Sequence, residues 1–193
     1  MAETASTMLP LGTPVPTFRL KDAVSGREVT EAGQIDRQAL LVMFLCNHCP
    51  FVKHVMEELG RIGSDYGRRG VEVIAINSND VRNYPQDGPE RMRELALRQG
   101  WNFPFLLDET QEVAKRFRAA CTPDFFLFRG DGALVYRGQL DDSRPGNGRP
   151  VTGRDLRSAL DAVLAGEPAP EPQLPSLGCN IKWKPGNAPQ YYG

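Results

Sequence analysis

Leu40 to Leu45 is an unbroken run of apolar residues. A run this short, closed by polar residues, predicts a strand buried on both faces. Beyond it, Phe51, Val52, Val55, Met56, Leu59 and Ile62 recur at helical spacing, and Pro50 suits a first-turn position, so a helix is predicted over Pro50 to Arg69. Val71 to Asn77 is a second β-rich run, and Ser78 to Pro89 a polar loop. Glu90 to Arg98 reads as a helix stopped by Gly100, Phe103 to Leu107 as a strand, and Glu109 to Ala119 as a helix. Asp124 to Phe128 and Ala133 to Arg137 flank Arg129-Gly130-Asp131-Gly132, a hairpin signal. A last amphipathic helix is expected over Thr152 to Ala165.

At the N-terminus, Met1 to Pro16 reads as a flexible lead-in, followed by a short hairpin over Thr17 to Leu20 and Glu28 to Thr30. From Glu167 onward the tail holds six of the sixteen prolines, which predicts an extended, partly disordered segment. Alternating βαβ units followed by ββα imply an α/β fold: a central mixed β-sheet flanked by helices. The expected organisation is one domain over residues 1–166, with an N-terminal hairpin extension, and a proline-rich tail over 167–193.

Composition narrows the function classes. With 193 residues, 40% hydrophobic and 24% charged, the chain is ordinary for a soluble domain. A net charge of −1 gives no electrostatic reason to expect nucleic acid or an anionic membrane as partner. No apolar run approaches the roughly 20 residues of a membrane span. The N-terminus shows neither the basic nor the apolar region of a signal peptide, so the expected location is cytoplasmic. There, paired cysteines are more often catalytic or metal-binding than structural.

Such a pair follows the buried run directly, as Cys46-Asn47-His48-Cys49. A strand delivers both sulfurs to the start of a helix, whose free amides and positive dipole end favour thiolate over thiol. Thiolate is the attacking species in disulfide exchange. Cys46 is expected to attack, and Cys49 to resolve the mixed disulfide. His48 lowers a thiolate pKa through positive charge or a hydrogen bond, which stabilises the reduced form and raises the potential above thioredoxin's roughly −270 mV.

On Cys46-Asn47-His48-Cys49, on Thr122-Pro123 before the aromatic strand Asp124 to Phe128, and on the hairpin and helix that follow, the chain resembles the thioredoxin superfamily, specifically its peroxiredoxin-like (AhpC/TSA-like) branch with a CxxC motif. The likeness covers about residues 12–166. It implies a thioredoxin-like fold with Cys46, Cys49, His48 and Pro123 catalytic, Pro123 in a cis peptide, and Thr122, Asn47 and Pro50 binding substrate. The Thr122 backbone would pair with an incoming chain as an added strand. No metal or cofactor is implied, since the Cys46–Cys49 disulfide is itself the redox centre. Disulfide-containing proteins or small thiols would be partners, with a thioredoxin or glutathione system as electron donor. Ser176 to Trp183 looks like the tail of uncharacterised members of the branch.

The chain also departs from these patterns. Thioredoxins bury a carboxylate where Leu40 stands here, and peroxiredoxins have a threonine where Cys46 stands and an activating arginine where Pro123 lies nearby. Three activities fit the residues. The first is thiol–disulfide oxidoreduction through Cys46 and Cys49. A second is a thiol peroxidase with Cys49 peroxidatic. The third is a copper or zinc module built on Cys46, Cys49 and a histidine. Cys121 reads as a buried small hydrophobe or an auxiliary thiol, and Cys179 as a shuttle in a mobile tail or a bystander. Asp141 or Asp142 would take a proton-transfer role or simply begin a loop. His54, Lys53, Trp101 and Trp183 read as surface or packing residues.

Overall fold

The computed structural model describes residues 3–34 and 37–191. Residues 1, 2, 192 and 193, at the ends of the expected lead-in and tail, lie outside them.

Strand β4 (Ala39–Phe44) forms the middle of the molecule because every one of its side chains is apolar and buried. Alternate residues face opposite ways: Leu41 and Met43 enter one core, and Leu40, Val42 and Phe44 the other. β5 (Val71–Asn77) and β6 (Phe105–Leu107) extend the sheet in parallel, and β8 (Asp124–Arg129) and β9 (Leu134–Gly138) extend it antiparallel on the other side. The expected hairpin, β2 (Arg19–Asp22) and β3 (Glu28–Thr30), pairs onto β6. The strand order is β3-β2-β6-β5-β4-β8-β9, a mixed seven-stranded sheet.

Helices α1 (Pro50–Gly67), α2 (Pro89–Gln99) and α4 (Arg154–Leu164) cover the first face. Val52, Leu59, Ile62, Leu95, Leu156 and Leu160 project from them into one core. The second face is closed by α3 (Glu112–Phe117), where Phe117 meets Phe44, Phe126 and Phe128 edge to face. α2 stops at Gly100, which takes the left-handed conformation with φ of 63°. Among the described residues no helix is long and apolar enough to cross a membrane.

The two ends of the chain depart from expectation. Glu3–Ala5, inside the expected flexible lead-in, is a strand (β1), and Leu177–Asn180, inside the expected partly disordered tail, is another (β10). They form a three-stranded antiparallel sheet with β7 (Cys121–Thr122), in the order β1-β10-β7. Proline density is not decisive here, because the pairing segment itself contains no proline. Around it the tail is pinned from several sides. Ile181 is buried in the second core, its N–H donates to Ala120 O at 3.1 Å, and Lys182 N–H donates to Asn79 Oδ1 at 2.9 Å.

Gly178 makes the docking possible. A Cβ at this position would lie 2.1 Å from Thr122 O and 2.6 Å from its carbonyl carbon, so only glycine lets the two backbones meet. Gly178→Ala is therefore expected to lift β10 off β7 and lower stability by about 1–3 kcal/mol, in the range of other overpacking substitutions. Hydrogen exchange would report it as faster exchange confined to residues 177–181 and their partners. Unchanged protection there would mean that the close approach is not needed.

Candidate active site

β4 ends at Phe44 and α1 begins at Pro50, so Cys46 to Cys49 form the strand–helix junction. Cys49 is the N-cap of α1 and Pro50 its first residue, where the missing N–H is no loss. Nothing in the sequence caps this helix with an oxygen, and Cys49 makes no side-chain oxygen cap. Its sulfur instead takes the N–H of Val52. The Cys46 thiol donates to the same sulfur, and so do the Cys179 thiol and backbone N–H.

This donor set decides where the negative charge rests. Donation from Cys46 is the largest influence on Cys49, and burial works against it. The other donors add to the first, and the Cys49 pKa comes down to about 5. Cys46 is pushed the other way, because it spends its proton on Cys49, is buried, and faces the negative charge of Asp87. Cys179 rises to about 12, through burial and through its own donation to Cys49. The donor set thus lowers the Cys49 pKa and raises that of Cys46, whereas the attacking role is expected of Cys46 from the sequence. From the helix, it is the Val52 N–H that reaches the N-cap sulfur.

A pH titration of the ultraviolet thiolate absorbance of the reduced protein should accordingly show a midpoint near pH 5, with thiolate lost as pH falls below it. Cys46→Ala removes the strongest donor and should move this midpoint upward. Cys49→Ala should remove the transition. A midpoint that stayed near 5 without Cys46 would contradict the assignment.

Asp87 organises the rest of the loop. It comes from the polar segment after β5, in a 3-10 turn over Pro85–Asp87, and is fully buried. Its Oδ1 accepts the N–H groups of Asn47 at 2.8 Å and His48 at 3.2 Å, and its Oδ2 accepts His48 Nδ1–H at 2.6 Å and Asn79 Nδ2–H at 2.8 Å. Burial pushes its pKa up, but these donors, His48 foremost, more than offset that and hold it low. The His48 ring also stacks on Tyr84. A buried carboxylate from another part of the chain thus stands beside the dithiol loop. No periodicity or motif marked Asp87 in the sequence.

Thr122 closes the site from the other side. Its Oγ1 lies 3.4 Å from Cys46 Sγ, and its carbonyl oxygen 3.2 Å from Cys49 Sγ, where it accepts the proton when Cys49 is protonated. The Thr122–Pro123 peptide is cis. The Thr122 backbone is not open to an incoming chain, however, because β10 pairs with it, placing Cys179 opposite Thr122. Cys179 is therefore not in a mobile tail but beside the dithiol. Relative exposures of 1% for Cys46, 0% for Cys49 and 2% for Cys179 show the site closed to solvent.

Cys121 is buried next to them, and its acidity is suppressed by burial and by the charge of Asp124. Cys46 Sγ, a His48 ring nitrogen and an Asp87 oxygen lie within 4.8 Å of one another, a set that could ligate a metal ion. The Asp87 oxygens already take four hydrogen bonds, so the set is tied up as it stands.

Several other candidates lie elsewhere. Asp141 accepts the N–H groups of Thr152 and Gly153, both at 2.7 Å, and so holds the loop before α4. Asp142 pairs with Arg149. His54 bonds Ser143 Oγ at 2.6 Å, Lys53 is exposed, Trp101 stacks on Phe103, and Trp183 packs on the second core.

Comparisons with known proteins agree with this architecture. An uncharacterized conserved protein from Geobacillus kaustophilus is similar over 96% of this chain and 98% of its own, with 55% identity and a TM-score of 0.94. A putative thioredoxin from Neisseria meningitidis superposes with a TM-score of 0.60 at 22% identity, over 78% of this chain and 89% of its own, which shows a thioredoxin-like fold. The thiol-disulfide oxidoreductase ResA of Halalkalibacterium halodurans is 24% identical over 109 residues, 56% of this chain. The match spans only 57% of that relative's length. The AhpC/TSA family model matches residues 11–137, from the lead-in through the dithiol and the cis-proline into β9, and the chain belongs to the AhpC/TSA family.

Proposed function

We propose that the chain is a thiol–disulfide oxidoreductase that works by dithiol–disulfide exchange through Cys46 and Cys49. One observation carries this reading: two free cysteines hydrogen-bonded to each other at a helix N-terminus, Cys49 with its pKa brought down to about 5 and Cys46 donating to it. The resemblance to ResA and the thioredoxin-like fold support it.

The Cys49 thiolate attacks one sulfur of a substrate disulfide, and the other substrate sulfur leaves as thiolate. Cys46 then gives its proton to that departing sulfur and attacks Cys49. The Cys46–Cys49 bond forms, the second substrate sulfur is released, and two electrons have passed to the substrate. Thr122 Oγ1, beside Cys46, steadies charge on that sulfur during the second step. Run backwards, the same steps oxidise a dithiol. The redox centre is the cysteine pair itself, without a resident cofactor or metal. The substrates are disulfide-containing proteins or small thiols, the donor is a thioredoxin or glutathione system, and the setting is the reducing cytoplasm.

The reduced protein, equilibrated in glutathione buffers and analysed by intact mass and peptide mapping, should form the Cys46–Cys49 disulfide with a midpoint above thioredoxin's roughly −270 mV. Persistent glutathione adducts with no internal bond would refute the reading. A second activity, peroxide reduction at Cys49 with Cys46 resolving, is favoured by the thiolate resting on Cys49. A second-order rate constant with hydrogen peroxide no faster than that of an ordinary free thiol would dismiss it.

A further inference from the structure

Three observations converge on the C-terminal strand. Its backbone pairs with Thr122, the edge to which a thioredoxin-like site would bind an extended substrate chain. Gly178 is fitted so closely against Thr122 and Pro123 that a Cβ would strike three of their backbone atoms at 3.1 Å or less. Next to it, Cys179 places its thiol on the Cys49 sulfur, while the Phe51 N–H at the start of α1 points at the Cys179 sulfur. The chain therefore presents to its own dithiol what a bound substrate presents: an antiparallel strand with a cysteine opposite Thr122. Cys49 is the shared hydrogen-bond acceptor of Cys46 on one side and Cys179 on the other.

We propose that Cys179 is a third redox-active cysteine, exchanging with the Cys46–Cys49 disulfide to form a Cys49–Cys179 disulfide on the strand that fills the substrate edge. The inference rests on the oxidoreductase reading, which supplies the Cys46–Cys49 bond. In the step, Cys179 loses its proton and its sulfur attacks Cys49. The Cys46–Cys49 bond breaks as the Cys49–Cys179 bond forms, and Cys46 leaves as thiolate and takes up the proton. The number of disulfides is unchanged, so no outside oxidant is needed. The oxidising equivalent is then held on β10, outside the CxxC motif.

The test uses the full chain. Wild type, Cys46→Ser and Cys179→Ser are oxidised with oxidised glutathione, quenched in acid, alkylated and mapped by peptide mass. In the wild type both isomers are expected: one with Cys179 alkylated, the other with Cys46 alkylated. Cys46→Ser should give Cys49–Cys179, and Cys179→Ser only Cys46–Cys49. Gly178→Ala, which changes no sulfur, should lower the share of Cys49–Cys179 by about tenfold or more, since a displaced strand loses its alignment.

A Cys46→Ser protein that stops at a Cys49–glutathione adduct, with wild type showing only Cys46–Cys49, would overturn the proposal and leave the oxidoreductase reading intact. Absence of Cys46–Cys49 from both wild type and Cys179→Ser would remove that reading, and this step with it. The wild-type isomer ratio decides the matter even if a variant fails to fold.

Discussion

Asp87→Ala is expected to cost about 3–5 kcal/mol of stability and to loosen the dithiol loop. The size follows from what remains. Asp87 is fully buried and accepts four hydrogen bonds, two of them from the backbone of Asn47 and His48. Removing it leaves those donors facing each other with no acceptor, and the partly buried His48 ring loses its hydrogen-bond acceptor. Asn79 is released as well, and Asn79 is what holds the Lys182 N–H of the tail. A fall in the denaturant midpoint should therefore appear together with faster exchange at Asn47, His48 and Lys182. The variant also relieves Cys46 of a negative neighbour, so the Cys46 pKa should fall and the dithiol become more oxidising. A loss of stability without a change in potential would mean that Asp87 is a scaffold only.

Asp124→Asn should act in the opposite direction, with a gain that builds as pH rises from about 4 to 7 and then levels off. Asp124 begins β8 opposite Phe44, is wholly buried, and has one oxygen without a hydrogen-bond partner. The long 3.5 Å bond from Ala120 N–H, with Ser6 and the Phe125 N–H also donating to the carboxyl, does not outweigh this burial. Burial raises its pKa from 3.8 to about 7. A carboxyl whose folded pKa exceeds its unfolded value favours the native state below the unfolded pKa, and that contribution is lost as pH rises towards 7. About three units correspond to roughly 4 kcal/mol.

Asparagine resembles the protonated acid and cannot ionise. The variant should match wild type near pH 4 and exceed it at pH 8 by up to that amount. Cys49, whose folded pKa is lowered, tilts the absolute curve the other way between pH 9 and 5, with its stabilisation lost as pH falls. The difference between variant and wild type cancels this slope. Equal gains at pH 5 and pH 8, read from denaturant titrations, would mean that Asp124 does not titrate in this range.

Some of this was legible in the chain because the signals are local. β5 runs from Val71 to Asn77 as its apolar pattern predicts, and α1 starts at Pro50 because a proline cannot sit deep within a helix. The CxxC and Thr-Pro motifs are likewise contiguous, and the sheet brings them together by pairing β4 with β8. What escaped is built from distance. β1, β7 and β10 are two to four residues long and partly polar, and they are strands only because they lie beside one another. Asp87 sits in a polar loop where nothing local marks it, and its burial comes from the approach of the dithiol loop. The charge of Asp124 reads as the edge of an aromatic strand, whereas tertiary packing seals it. One clue was present: a glycine directly before a cysteine, Gly178-Cys179, fits a backbone held close to another.

The pairing of β10 with Thr122 also sets terms for any outside partner. An occupant joined to the site by its own chain competes as though dissolved at about millimolar concentration. A free peptide must therefore overcome both its own ordering and a rival that never diffuses away. Its apparent affinity falls in proportion to the fraction of molecules with the edge vacant. A small disulfide needs only the Cys49 sulfur uncovered, whereas a protein partner needs the whole Thr122 edge vacated. Selectivity between the two is decided by a strand-exchange equilibrium, before any sulfur is attacked.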